Sequence, residues 1–177
     1  MATATSNKSA APKAETKLFP TRNDLPEDAR RQLVGLLNGM ISDLSDLFTQ
    51  TKHAHWNVKG PNFIGLHKLL DELAEEVEEQ TDEVAERATA LGGVVLGTAR
   101  MIAATTRLAD FPADVYHTQK VAAALADRYA QAGKFARAGI DAADDLGDKG
   151  TADLFTDVSR LLDKSTWLLE AHVQLDG

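Results

Sequence analysis

Apolar residues recur at three- and four-residue spacing through four long stretches of the chain. The first carries Leu33, Leu36, Leu37, Met40, Ile41, Leu44, Leu47 and Phe48, the pattern of one buried helix face. It predicts a helix that begins at Asp24-Leu25-Pro26-Glu27, with Asp24 as N-cap, and runs to about His55. Gly60-Pro61-Asn62 breaks the pattern. A second helix follows from about Phe63 to Leu91 on the stripe Leu66, Leu70, Leu73, Val77, Val84 and Leu91, ended by Gly92-Gly93. Residues from Val94 to Ala113 form a long connection that holds Val94, Val95, Leu96, Met101 and Ile102, enough apolar surface to pack and to carry a short helix. A third long helix is expected from about Ala113 to Leu146, on Val121, Leu125, Tyr129, Ala132, Phe135 and Ile140. After the turn Gly147-Asp148-Lys149-Gly150, a fourth spans about Thr151 to Val173 on Leu154, Val158, Leu161, Leu162, Leu168 and Leu169. No segment reads as a strand. Two tight turns and one long crossover between the second and third long helices describe an all-α bundle running up, down, down, up.

Composition narrows the chemistry. The chain has 177 residues, one domain's worth, with 44% hydrophobic residues to build a core. No run of apolar residues is long enough to span a membrane, and Met1 to Lys17 lacks the apolar stretch of a secretory signal. Cysteine is absent, which excludes disulfides, thiolate metal sites and cysteine nucleophiles and fits a cytosolic protein. A metal site must therefore use His, Asp and Glu, ligands that suit iron. The net charge is −8, unevenly spread. Within residues 1–22, Lys8, Lys13, Lys17 and Arg22 face Glu15 alone, a net +3 that leaves −11 on the remaining 155 residues. Residues 1–17 read as a flexible basic tail on a bundle domain of residues 18–177. A basic arm on an acidic body suits polyanion binding, cation gathering, or both.

Chemistry concentrates between His53 and Arg87, where three of the five histidines lie. Placed on a helical wheel with His67 at zero, Asp71 falls near 40°, Asp82 near 60° and Glu86 near 100°, at roughly 100° per residue. The apolar stripe of the same helix falls near 240–300°, so the His and carboxylate face points away from the bundle's own core. His67 and Asp82 are separated by roughly 22 Å of helix, too far to hold one ion within one chain. A second copy of the helix lying antiparallel across a two-fold axis would bring His67 and Asp71 of one chain opposite Asp82 and Glu86 of the other, with His55 completing the set. The alternative is a solvated carboxylate face. A metal site inside the bundle would need Glu-x-x-His motifs. The residues three before each histidine are Gln50, Lys52, Ile64, Asp114 and Leu169, and none is Glu.

Ala54-His55-Trp56-Asn57-Val58, Gly60, Asn62-Phe63, Leu66-His67, Leu70-Asp71, Asp82, Ala85-Glu86-Arg87-Ala88, Leu91-Gly92-Gly93 and Leu96-Gly97-Thr98 together resemble the Dps family, the mini-ferritins named as DNA-binding proteins from starved cells. The resemblance covers about residues 18 to 173. It implies a ferritin-like four-helix bundle assembled as a hollow homododecamer. It further implies iron oxidation and storage at two-fold inter-subunit sites, with His55, His67 and Asp71 from one subunit and Asp82 and Glu86 from its mate. Hydrogen peroxide is the implied oxidant, and the implied place is the cytoplasm, at the nucleoid. By the same resemblance Asp153, in Thr151-Ala152-Asp153, and with it Asp148 and Asp144 would line an iron-entry pore; the other reading of that turn is a solvated helix cap. Trp56 would either quench stray oxidising equivalents or plug an interface. No sequence-reading DNA motif is present, so DNA binding would go through phosphates, with Lys8, Lys13 and Lys17 as contacts. A nucleoid-compacting structural protein with minor iron chemistry is the alternative function, and a plain bundle associating through another face is the third.

Overall fold

A computed structural model describes residues 17–174. Its helices are α1 (Glu27–Asn57), α2 (Phe63–Ala90), the short α3 (Ala99–Thr105), α4 (Thr118–Asp145) and α5 (Lys149–Glu170). Among the described residues no β-strand forms; the one extended pairing joins Lys59 to His117. α1 and α2 make one hairpin and α4 and α5 the other, and α3 lies on α1 within the crossover.

Two contacts set the direction of the second hairpin. The Lys59 N–H donates to the Tyr116 carbonyl at 2.8 Å, and Thr118 N–H donates to Lys59 O at 3.0 Å. The start of α4 is thereby tied to the turn before α2. At the other end, Arg87 near the end of α2 holds Asp148, at the start of α5, at 2.7 Å. α4 therefore runs parallel to α2, giving the up, down, down, up order that the long crossover demands.

The predicted stripes meet in the centre. Leu33, Leu37, Met40, Ile41, Leu44 and Leu47 of α1 are buried, as are Leu66, Leu70, Leu73, Val77 and Val84 of α2. α4 differs from expectation: Phe135 and Ile140 are only partly buried, and its inner face narrows to Ala132, Ala136, Gly139 and Ala143. The small residues make room for Phe155 of α5, whose ring lies where a Cβ on Gly139 would sit within 2.9 Å.

Three helix starts move, and one helix end. Asp24 is not the N-cap of α1; Pro26 takes that position without a side-chain cap, and Glu27 and Asp28 supply negative charge to the first turn. α4 starts at Thr118 instead of Ala113, because the backbone of Tyr116 and Thr118 is engaged with Lys59. α5 starts at Lys149, because the side chain of Asp148 accepts from Thr151 N–H and caps the helix two residues early, and it ends at Glu170.

The crossover is held by a polar row on α1. Asn38 accepts from Leu96 N–H at 2.8 Å and donates to Val94 O at 3.0 Å. Ser42 meets Thr105 at 2.7 Å, Asp46 accepts from Thr106 at 2.8 Å, and Gln50 donates to Ala109 O at 3.1 Å. Asp43, fully buried, accepts from Arg107 N–H at 2.8 Å and from its guanidinium. The spacing 38, 42, 46, 50 places these groups on one line along α1.

Candidate metal centre

The end of α1 and the start of α2 bring two imidazoles face to face. The rings of His55 and His67 stack with centroids 3.8 Å apart at 20°. Each ring reaches across to the other's backbone: His55 Nδ1 lies 2.8 Å from His67 O, and His67 Nδ1 lies 3.0 Å from His55 O. A carbonyl oxygen only accepts, so Nδ1 carries the hydrogen in both neutral rings and Nε2 keeps its lone pair. The ring of Phe63 covers the other side of the pair, 5.1 Å from His67. The short turn through Gly60, at φ +121°, and Asn62, at φ +58°, lets the two helices meet closely enough for this reciprocal contact.

Asp71, one turn beyond His67, completes the local set. Its Oδ1 lies 3.8 Å from His55 Nε2 and 2.5 Å from Lys52 Nζ. The hydrogen bond from Lys52, reinforced by the charge of the same ammonium, holds the Asp71 carboxyl below the usual carboxylate range. Lys52 is a residue that sequence pattern did not single out. Its position three before His55, on the same helical face, is the signal that would have found it.

Asp82 and Glu86 do not join this cluster. Both are exposed on the second half of α2. Among the described residues no three His, Asp or Glu side chains of one chain form a complete metal-holding group. One chain thus supplies two lone-pair nitrogens and a carboxylate at one end of α2 and two open carboxylates toward the other. Nitrogen and oxygen donors of this kind suit iron. Exposed apolar side chains flank the histidines: Trp56 is 71% exposed and Ile64 58%.

The α4–α5 turn is less uniform than its sequence suggests. Asp153 is exposed on the first turns of α5, and Asp144 pairs with Lys149. Asp148 departs from the expectation of an open pore carboxylate. It is 5% exposed, both oxygens accept from Arg87 at 2.8 and 2.7 Å, and it also accepts from Thr151. It braces α2 against α5 instead. Of the three tail lysines, Lys17 lies with its Nζ 4.6 Å from the centre of the Phe19 ring; Lys8 and Lys13 lie outside the described residues.

A four-helix bundle with a long second-to-third crossover, carrying its His and carboxylate groups outside the core, defines a ferritin-like protein of an unusual kind. The model of the ferritin-like domain matches residues 34–176. The DNA protection during starvation protein of Agrobacterium fabrum is 44% identical over 158 residues, which cover 89% of this chain and 98% of that protein. Among solved structures, DpsA14 from Streptomyces coelicolor superposes with a TM-score of 0.87 at 32% identity, over 93% of this chain and 97% of that one. A dps-homologue from Halobacterium salinarum superposes with a TM-score of 0.85 at 29% identity, over 97% and 96%. The chain belongs to the Dps family of ferritin-like proteins.

Proposed function

We propose that this chain is an iron-sequestering ferroxidase. It oxidises Fe(II) with hydrogen peroxide at sites shared across two-fold interfaces, stores the ferric product inside a homododecameric shell, and so protects DNA. The observation that carries the reading is the His55–His67 pair, whose Nδ1 hydrogens are tied to carbonyls, which leaves the Nε2 lone pairs open, that of His55 3.8 Å from Asp71 Oδ1. The donors are oriented before any ion arrives, which lowers the reorganisation needed on binding.

Each chain would give His55, His67 and Asp71 to one site and Asp82 and Glu86 to the site of its mate, so that a two-fold pair holds two equivalent sites. Fe(II) is the substrate there. Two Fe(II) ions give one electron each to one peroxide, the O–O bond breaks, and two protons complete two waters. Pairwise electron transfer avoids releasing hydroxyl radical. Fe(III), the stronger Lewis acid, then hydrolyses to mineral. Exposed Asp153 and Asp144 on the α4–α5 turn are the candidate entry carboxylates. No helix among the described residues is long and apolar enough to cross a membrane. The proposed setting is the cytoplasm, at the nucleoid, with sequence-independent DNA binding through Lys8, Lys13 and Lys17. One +3 arm is weak, and twelve arms on one shell multiply its effect.

The test pairs two variants. His55→Ala/His67→Ala should lose rapid Fe(II) oxidation by stoichiometric peroxide, followed by absorbance, by about 100-fold or more, while light scattering reports an intact shell and gel shift reports unchanged DNA binding. Deletion of residues 1–17 should do the reverse, abolishing a DNA shift that wild type loses steeply with added salt. Equal oxidation rates in wild type and the double variant would remove the metal-site reading and leave the DNA-compacting alternative.

A further inference from the structure

We propose that the first turn of α4 is a binding site for a phosphate-type oxyanion. The site is built from residues that take no part in the candidate metal centre and does not depend on the metal-site reading above. A helix N-terminus concentrates partial positive charge on amides that lack helical partners. α4, 28 residues long, leaves that charge unanswered: His117 stands at the N-cap with no side-chain cap, and the first turn holds no acid. Thr118 N–H is taken by Lys59 O, but the amides of Gln119 and Lys120 have no backbone acceptor among the described residues. Full charges add to this. Lys120 is exposed on the same turn, and Lys59 holds its ammonium 5.8 Å from the centre of the Tyr116 ring. A cleft of about 370 Å³ opens here, lined by Asp114, Tyr116, His117, Gln119 and Lys120. Asp114 is its one carboxylate and opposes an anion, but two ammonium groups stand against it.

A second feature comes from a buried side chain. Thr118 is 5% exposed, and its hydroxyl has no hydrogen-bond partner among the described residues. A buried polar group left unpaired is costly, and a ligand oxygen would complete it. The hydroxyl lies beside the His117 ring that lines the cleft: a Cβ on Gly60 would stand 3.4 Å from Thr118 Oγ1 and 3.5 Å from His117 Nε2. Gly60 sits at φ +121°, a conformation that favours glycine, so no side chain fills that space. Amides, hydroxyl, imidazole and ammonium thus approach from several directions. A tetrahedral oxyanion has enough acceptor oxygens for such a set, and the helix start favours its charge. Free phosphate and the phosphate of a nucleic-acid backbone offer this same chemistry.

The test uses the full-length, metal-free, assembled protein. Inorganic phosphate is titrated at low ionic strength and followed by its phosphorus NMR line width. Wild type should broaden the line saturably. Gln119→Glu puts an acid into the helix start, which suits the helix and repels the anion. Its affinity should fall on the order of tenfold while the thermal midpoint holds or rises. Lys120→Gln should weaken binding similarly, and Lys134→Gln, at an exposed lysine further along α4, should not. Absence of saturable broadening in wild type overturns the proposal, as does equal affinity in Gln119→Glu. An equal loss in Lys134→Gln would make the contact diffuse surface charge and overturns it too. A gel shift with duplex DNA across a salt series then fixes the source. A shallower salt dependence in Lys120→Gln, with Lys134→Gln like wild type, assigns the site to nucleic-acid phosphate. An unchanged salt dependence beside weakened phosphate binding assigns it to free phosphate.

Discussion

At the scale of single residues, side-chain types are the same in solvent and in the site, and what differs is which atom is already engaged. His55 and His67 are ordinary imidazoles whose Nδ1 atoms are taken by carbonyls, and this leaves Nε2 for chemistry. Asp148 is the opposite case, a carboxylate with no free oxygen. Burial pushes its carboxyl up, but the hydrogen bonds from Arg87 and Thr151 outweigh that and leave it lowered. The folded chain therefore binds fewer protons at this group than the unfolded chain does in the acid range. Its stabilisation is complete above the unfolded carboxylate range and fades as pH falls toward the folded value. Asp148→Asn should lower stability near neutral pH by about 2–3 kcal/mol, from a lost cap and lost charged hydrogen bonds. It should also flatten the decline of the thermal midpoint between neutral and acid pH. Parallel midpoint-against-pH curves for the two proteins would mean that Asp148 does not contribute through its charge.

At the scale of elements, the bundle depends on a connection that has little core of its own. α3 has no buried residue, so the crossover is held by α1's polar row and by Arg107, whose guanidinium is bound by Asp43 and lies 4.1 Å over the Phe135 ring. Asp43 is fully buried and takes the Arg107 N–H and guanidinium, so its removal empties a closed position and costs the crossover its acceptor. Asp43→Ala should destabilise the subunit by about 2–3 kcal/mol. The amides of the segment around Leu96 to Arg107 should exchange their hydrogens faster than those of α2 and α5, as expected for an element that opens by itself. Uniform acceleration across all helices would instead make the clamp part of the global core.

At the scale of the whole molecule, one chain holds two complementary sets of groups that its own length keeps apart. His67 and Asp82 share a face of one straight helix, and rigidity forbids them a common ion. The proposed shared site makes a sharp prediction for mixed shells. Subunits carrying His55→Ala/His67→Ala and subunits carrying Asp82→Ala/Glu86→Ala should each be inactive alone. Reassembled together at equal ratio, they should recover about a quarter of wild-type oxidation, because half of random two-fold pairs are mixed and each mixed pair rebuilds one of its two sites. No recovery in a correctly sized mixed shell would rule out sharing across the two-fold. Exposed Trp56, Phe63 and Ile64 surround the histidines and supply the apolar surface that such an interface needs.

Periodicity alone determined four long helices and their order, because a buried face repeats every 3.6 residues and a long crossover admits few topologies. The wheel of α2 likewise put His67, Asp71, Asp82 and Glu86 on one outward face, since helical angle is a property of spacing. Boundaries escaped it where a non-local partner decided them: Lys59 delays α4, and Asp148 starts α5 early by capping it. The same limit hid the ligand state of the site. That Nδ1 of each histidine meets the other's carbonyl, that Lys52 sits on Asp71, and that Arg87 closes both oxygens of Asp148 are contacts between segments 12, 19 and 61 residues apart. Spacing along one helix says which side chains share a face; only the packing of one helix against another says which of their atoms remain free.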